Sequence, residues 1–88
     1  MFKLPGYDLT QTIYRGRHTV LLGGRRLADG QAVIIKKTAA EDASAQDRAY
    51  LRHEYELLRS LDLPGVVRAY ALEECAGGPA LVLEAQGG

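Results

Sequence analysis

The 88 residues predict an α+β domain: a five-stranded antiparallel sheet carrying one long helix, in the order β-β-β-α-β-β. Three observations carry that expectation. Short β-branched and apolar runs bounded by turn residues fall on both sides of the chain, helical spacing occupies Ala45 to Leu61, and Pro64-Gly65 stops it. A chain of this length has room for one core and buries roughly 60–65% of its unfolded surface. No repeat, low-complexity stretch or linker divides it, so residues 1–88 read as a single domain.

The elements follow in order. Pro5-Gly6 makes Met1 to Gly6 an opening turn. Tyr7, Leu9 and Ile13, then Val20, Leu21 and Leu22, bracket a polar tip at Arg15-Gly16-Arg17-His18 and predict a hairpin. Asp29-Gly30 supplies the positive-φ positions of a turn leading into a third strand, Ala32 to Thr38. Ser44, with Asp47 three residues on, has the spacing of an N-cap with an acidic first turn, so the helix starts near Ala45. It ends before Pro64, which cannot continue the ladder and disfavours helical geometry at Leu63. Val66 to Glu73 and Ala80 to Glu84 are the fourth and fifth strands, joined by a loop over Cys75 to Pro79. Gly23-Gly24 marks a bulge or a close backbone approach in the second strand.

Composition excludes several classes. Eleven basic residues balance eleven acidic ones, which removes the cationic excess expected of a nucleic-acid binder. Cys75 is the only cysteine, so no disulfide forms within the chain, and a reducing cytoplasmic setting is expected. No run approaches the 18 or so apolar residues of a membrane span, and the start lacks the apolar core of a signal peptide. His18 and His53 have no partners at metal-ligand spacing, and no metal site is expected.

The chemistry concentrates at two charges that interrupt apolar patterns. Val33-Ile34-Ile35 runs into Lys36, and a cation at the end of a buried strand needs a partner. On the helix, Tyr50, Leu57, Leu58 and Leu61 define an apolar face, and Glu54 falls on it. Glu54 is therefore the expected partner of Lys36. Strand alternation sends the neighbouring Lys37 to the opposite face.

With these residues in place, the chain resembles the N-terminal, ATP-binding lobe of bacterial-type serine/threonine protein kinases from about Tyr7 onward. Val33-Ile34-Ile35-Lys36 is similar to the kinase V-A-I-K strand, and Glu54 to the helix glutamate that pairs with its lysine. Glu54 to Val67 is similar to the passage into L-x-H-P-N-I-V, with Leu63 where kinases often have His and Gly65 where they often have Asn. The resemblance implies that Lys36 contacts phosphates, that Leu21 covers adenine, that Leu83 is the gatekeeper, and that the backbone of Glu84 and Gln86 faces the base. Gly16 is similar to the second glycine of G-x-G-x-x-G, while Tyr14 and Thr19 stand at the other two. By its residues alone, Gly16 is equally a hairpin-tip glycine. Ile34 replaces the small residue usual beside adenine and narrows the slot.

The resemblance implies ATP, as Mg-ATP in a full-length enzyme, as the ligand, and phosphoryl transfer to protein hydroxyls as the reaction. The only catalytic candidates are Lys36 and Glu54. No H-R-D or D-F-G occurs, so a C-terminal catalytic lobe, through which a protein substrate would bind, has no counterpart in these residues. Weak ATP binding and no transfer by the chain alone are expected. An apolar underside that a second lobe would cover predicts a homodimer, with Tyr50, Leu57 and Leu83 near the contact. A non-catalytic module binding a protein partner is the competing reading.

Overall fold

The computed structural model describes residues 2–61 and 63–85. Its elements are β1 (Tyr7–Arg15), β2 (Thr19–Arg26), β3 (Ala32–Thr38), α1 (Ala45–Ser60), β4 (Ala69–Cys75) and β5 (Gly78–Glu84). The strands form one antiparallel sheet with spatial order β1-β2-β3-β5-β4. The α+β class and the order of elements are as predicted. α1 carries the chain across to the far edge, where β4 forms, and β5 returns between β4 and β3.

Turn chemistry sets the strand ends. Gly30, at φ 72°, closes the loop between β2 and β3, and the Asp29 carboxylate accepts the Gln31 N–H and pairs with Arg26. β1 is irregular at Thr10 and Ile13, where its register against β2 shifts. At Gly24 the β1 backbone passes so close that a Cβ would overlap the Asp8 carbonyl, which accounts for a glycine in mid-strand.

The two faces of the sheet are covered differently. Val20, Leu22, Val33, Ile35, Ala80 and Val82 form the inner face, capped by Leu4 with Phe2 packed alongside. The opening turn therefore contributes a core residue, Leu4, that the Pro5-Gly6 signal hides. Curling of the sheet brings its outer strands together over this face. The Tyr7 hydroxyl donates to Glu73 at 3.1 Å, and the Arg26 guanidinium lies 4.8 Å from the Tyr70 ring centre. On the other face, α1 covers only the β4–β5 half, where Leu51, Tyr55 and Leu58 pack with Ala69, Leu72, Leu81 and Leu83.

The helix begins at the predicted cap. Ser44 Oγ accepts the Asp47 N–H, and the Asp47 carboxylate accepts the Ser44 N–H, both at 3.0 Å. Its sheet-facing side differs from the expected one. Leu51 is the buried anchor, while Tyr50 and Leu57 are 71% and 50% exposed and Leu61 is exposed at the C-cap. The helix is rotated by about one residue from the expected face, and Leu58 and Glu54 lie on the margin that both rotations share.

Two strand boundaries also differ. β4 starts at Ala69 instead of Val66, because Gly65, at φ 85°, and the Val66 N–H bonded to the Leu63 carbonyl extend the turn after Pro64. The loop over Cys75 to Pro79 is a two-residue turn, Ala76-Gly77, with Gly77 and Gly78 at φ 92° and 139°. Pro79 pairs with Glu74 beyond the end of the β3 ladder, where its missing N–H costs no bond to β3.

Candidate functional site

Cross-strand register places the candidate residues in two rows on the face that carries α1. Leu21, Lys36, Leu81 and Leu72 lie opposite one another across β2, β3, β5 and β4. Gly23, Ile34, Leu83 and Ala69 form the next row. Directly opposed residues share a face, so Leu21, Ile34, Lys36 and Leu83 stand together. Leu81 is fully buried beneath α1 and Leu83 packs at the edge of that cluster. Leu21 and Ile34 lie outside it, on the half of the face that the helix leaves uncovered, and are half-buried.

Lys36 sits on the boundary between these halves. Its Nζ donates to both carboxylate oxygens of Glu54, at 2.8 and 3.1 Å. Both side chains retain about a quarter of their exposure, 25% and 27%, so the pair is accessible from the open side. The strand fixes the lysine and the helix fixes the carboxylate. The helix can do so because Leu51 and Leu58, three residues before and four after Glu54, hold its side toward the sheet.

Beside the pair is a cleft of about 510 Å³ between the β1–β2 turn, the end of β3 and the first turns of α1. Thr19, Thr38, Gln46 and Tyr50 line it with Lys36. No motif names these four, and only the crossing of helix over strand collects them.

The remaining candidates fall out unevenly. The Gly16 N–H donates to the Thr19 carbonyl at 2.8 Å and is committed to the hairpin. A Cβ at Gly16 would lie 2.5 Å from the Tyr14 hydroxyl and 2.8 Å from its ring, so the glycine makes room for that side chain. Glu84 donates its N–H to the Arg68 carbonyl at 2.8 Å and so is held in the sheet. Gln86 lies outside the described residues. Cys75 is half-buried, its thiol is pushed up by burial, and its Sγ lies 3.1 Å from the Gly78 carbonyl oxygen. Among the described residues no group of His, Cys, Asp and Glu is placed to hold a metal ion, and no helix is long and apolar enough to cross a membrane.

No family model matches the chain, and no curated protein matches it.

Proposed function

We propose that this domain positions ATP as the N-terminal lobe of a serine/threonine protein kinase. The observation that carries the reading is the Lys36–Glu54 pair at the margin of an open apolar surface made by Leu21, Ile34 and Leu83. A flat apolar base fits that surface, and an ammonium fixed beside it fits the phosphates. Glu54 holds the amine in place while leaving one of its N–H groups free for an anion. Phosphoryl transfer from Mg-ATP to a protein hydroxyl would draw its base and its metal ligands from outside these 88 residues. Affinity for Mg-ATP is expected at about 1 mM or weaker, because a half-built site offers few contacts to offset the entropy of binding.

The test uses an adenosine acyl-phosphate, whose base directs an acyl group to a nearby amine. The chain has three lysines, Lys3, Lys36 and Lys37, and peptide mass spectrometry distinguishes them. Lys36 is expected to take most of the label, to lose it with excess Mg-ATP, and to lose it in Glu54→Gln. A label spread as a simple acyl phosphate spreads it, or an affinity of micromolar or tighter, contradicts the reading.

Two observations favour a partner-binding module instead. The loop tip is filled by Tyr14 over Gly16, and the helix exposes Tyr50 and Leu57 to solvent. Nucleotide labelling separates the two, since self-association is expected of either, and light scattering at tens of micromolar measures that association. Self-association weakened by Tyr50→Ser, together with absent nucleotide labelling, supports the module.

A further inference from the structure

The inner face holds a nucleophile that the nucleotide reading does not use. Lys37 extends from β3 away from Glu54, with its Nζ 5.0 Å from the Phe2 ring centre and donating to the Thr38 carbonyl at 2.7 Å. It has no salt-bridge partner among the described residues. Its surroundings form a second pocket, of about 230 Å³, between Phe2, the Ala39–Glu41 segment and the turn at Gly77, Gly78 and Pro79. The pocket is wide enough for a small electrophile, and Lys37 is among the residues that line it.

We propose that Lys37 is a site of covalent acylation by small acyl phosphates, its amine presented in the pocket behind Phe2. The neutral amine attacks the carbonyl carbon, the new N–C bond forms as the C–O bond to phosphate breaks, and that electron pair leaves on phosphate while the amine proton passes to solvent. The product amide is neutral, so the cation over Phe2 is lost.

Three properties favour Lys37 over its competitors. An amine attacks only when unprotonated, and burial lowers the pKa of Lys37 below the usual lysine value, which enlarges the neutral fraction. Lys36 donates to both Glu54 carboxylate oxygens, and acetyl phosphate carries no base to bring its carbonyl to that amine. The Cys75 thiol is pushed up by burial, which keeps it protonated and a poor nucleophile. The charge that bears on the Lys37 amine is Arg15 from β1, which lowers its pKa, while Cys75 from β4 would raise it only as a thiolate. Glu41 lines the pocket but forms no salt bridge with it.

The experiment treats the intact chain with acetyl phosphate and follows acetylation of each lysine by peptide mass spectrometry. Lys37 is expected to react faster than the exposed Lys3 at pH 8, the direction set by its place in the pocket and its lowered pKa. The Lys37 to Lys3 ratio should fall as pH rises through the amine range, where a lowered pKa no longer favours Lys37. Phe2→Ala, which removes one wall and admits water, should bring the ratio toward one. Repeating the reaction in guanidinium should do the same. Equal rates in the native chain, or a bias that survives guanidinium, overturns the proposal. The outcome is independent of the nucleotide reading, because acetyl phosphate carries no base to direct it to Lys36.

Discussion

Lys36 and Lys37 are adjacent on β3 yet occupy opposite surroundings, and the difference follows from how each face of the sheet is closed. Lys37 points to the inner face, which the chain seals with Phe2, Leu4 and the approach of β1 and β2 to β4 through Tyr7–Glu73 and Arg26–Tyr70. Lys36 points to a face that one helix covers by half, and its charge is balanced by a carboxylate from that helix. Closure on one side supplies stability, and incomplete closure on the other leaves a surface that a ligand can reach.

Neighbouring isoleucines break or sharpen that comparison most directly. Ile35 is fully buried on the inner face and Ile34 half-buried on the open one. Ile35→Ala should cost about 3 kcal/mol, because the lost transfer energy adds to the cavity left in a closed core. Ile34→Ala should cost about 1 kcal/mol or less, since water enters where the methyl groups were. Urea denaturation of both variants measures the difference. Equal losses would mean that the open face is covered in solution, by another copy or by the chain's own end.

The helix offers the second contrast. Leu51 is 4% exposed and anchors α1 on the sheet, whereas the adjacent Tyr50 is 71% exposed. Leu51→Ala should lose about 2 kcal/mol or more, and Tyr50→Ala should stay within about 0.5 kcal/mol. Thermal unfolding monitored by circular dichroism reads both. A large loss at Tyr50 would restore the face expected from the sequence.

Sequence pattern exposed the site better than it exposed the packing. Lys36 and Glu54 could be paired because each interrupts an apolar run, and a half-buried charge has few ways to be satisfied. The start of α1 was legible because Ser44 and Asp47 carry their own hydrogen bonds, whatever the helix packs against. The rotation of α1 was not, because Tyr50, Leu57 and Leu61 also form a stripe, and only the position of β4 and β5 selects Leu51. Leu4 was hidden because Pro5-Gly6 marks a turn without revealing that the preceding residue plugs the curled sheet. The role of Gly16 depended on the Tyr14 rotamer, which local sequence does not set.

A small expected effect on stability separates it from function at the Lys36–Glu54 pair. Both side chains keep about a quarter of their exposure, so water screens the attraction, and the ordering of two long side chains offsets part of what remains. Glu54→Gln keeps the shape and one hydrogen-bond acceptor, and should change unfolding free energy by about 1 kcal/mol or less. The same substitution frees the lysine to adopt other rotamers, so labelling of Lys36 by an adenosine acyl-phosphate should fall by much more than stability does. Lys37 provides the internal reference, since it lies on the other face and should acetylate at an unchanged rate in Glu54→Gln. If the variant instead unfolds at markedly lower urea while Lys36 labelling per folded molecule is preserved, the pair is a structural clamp between helix and sheet and does not position a ligand.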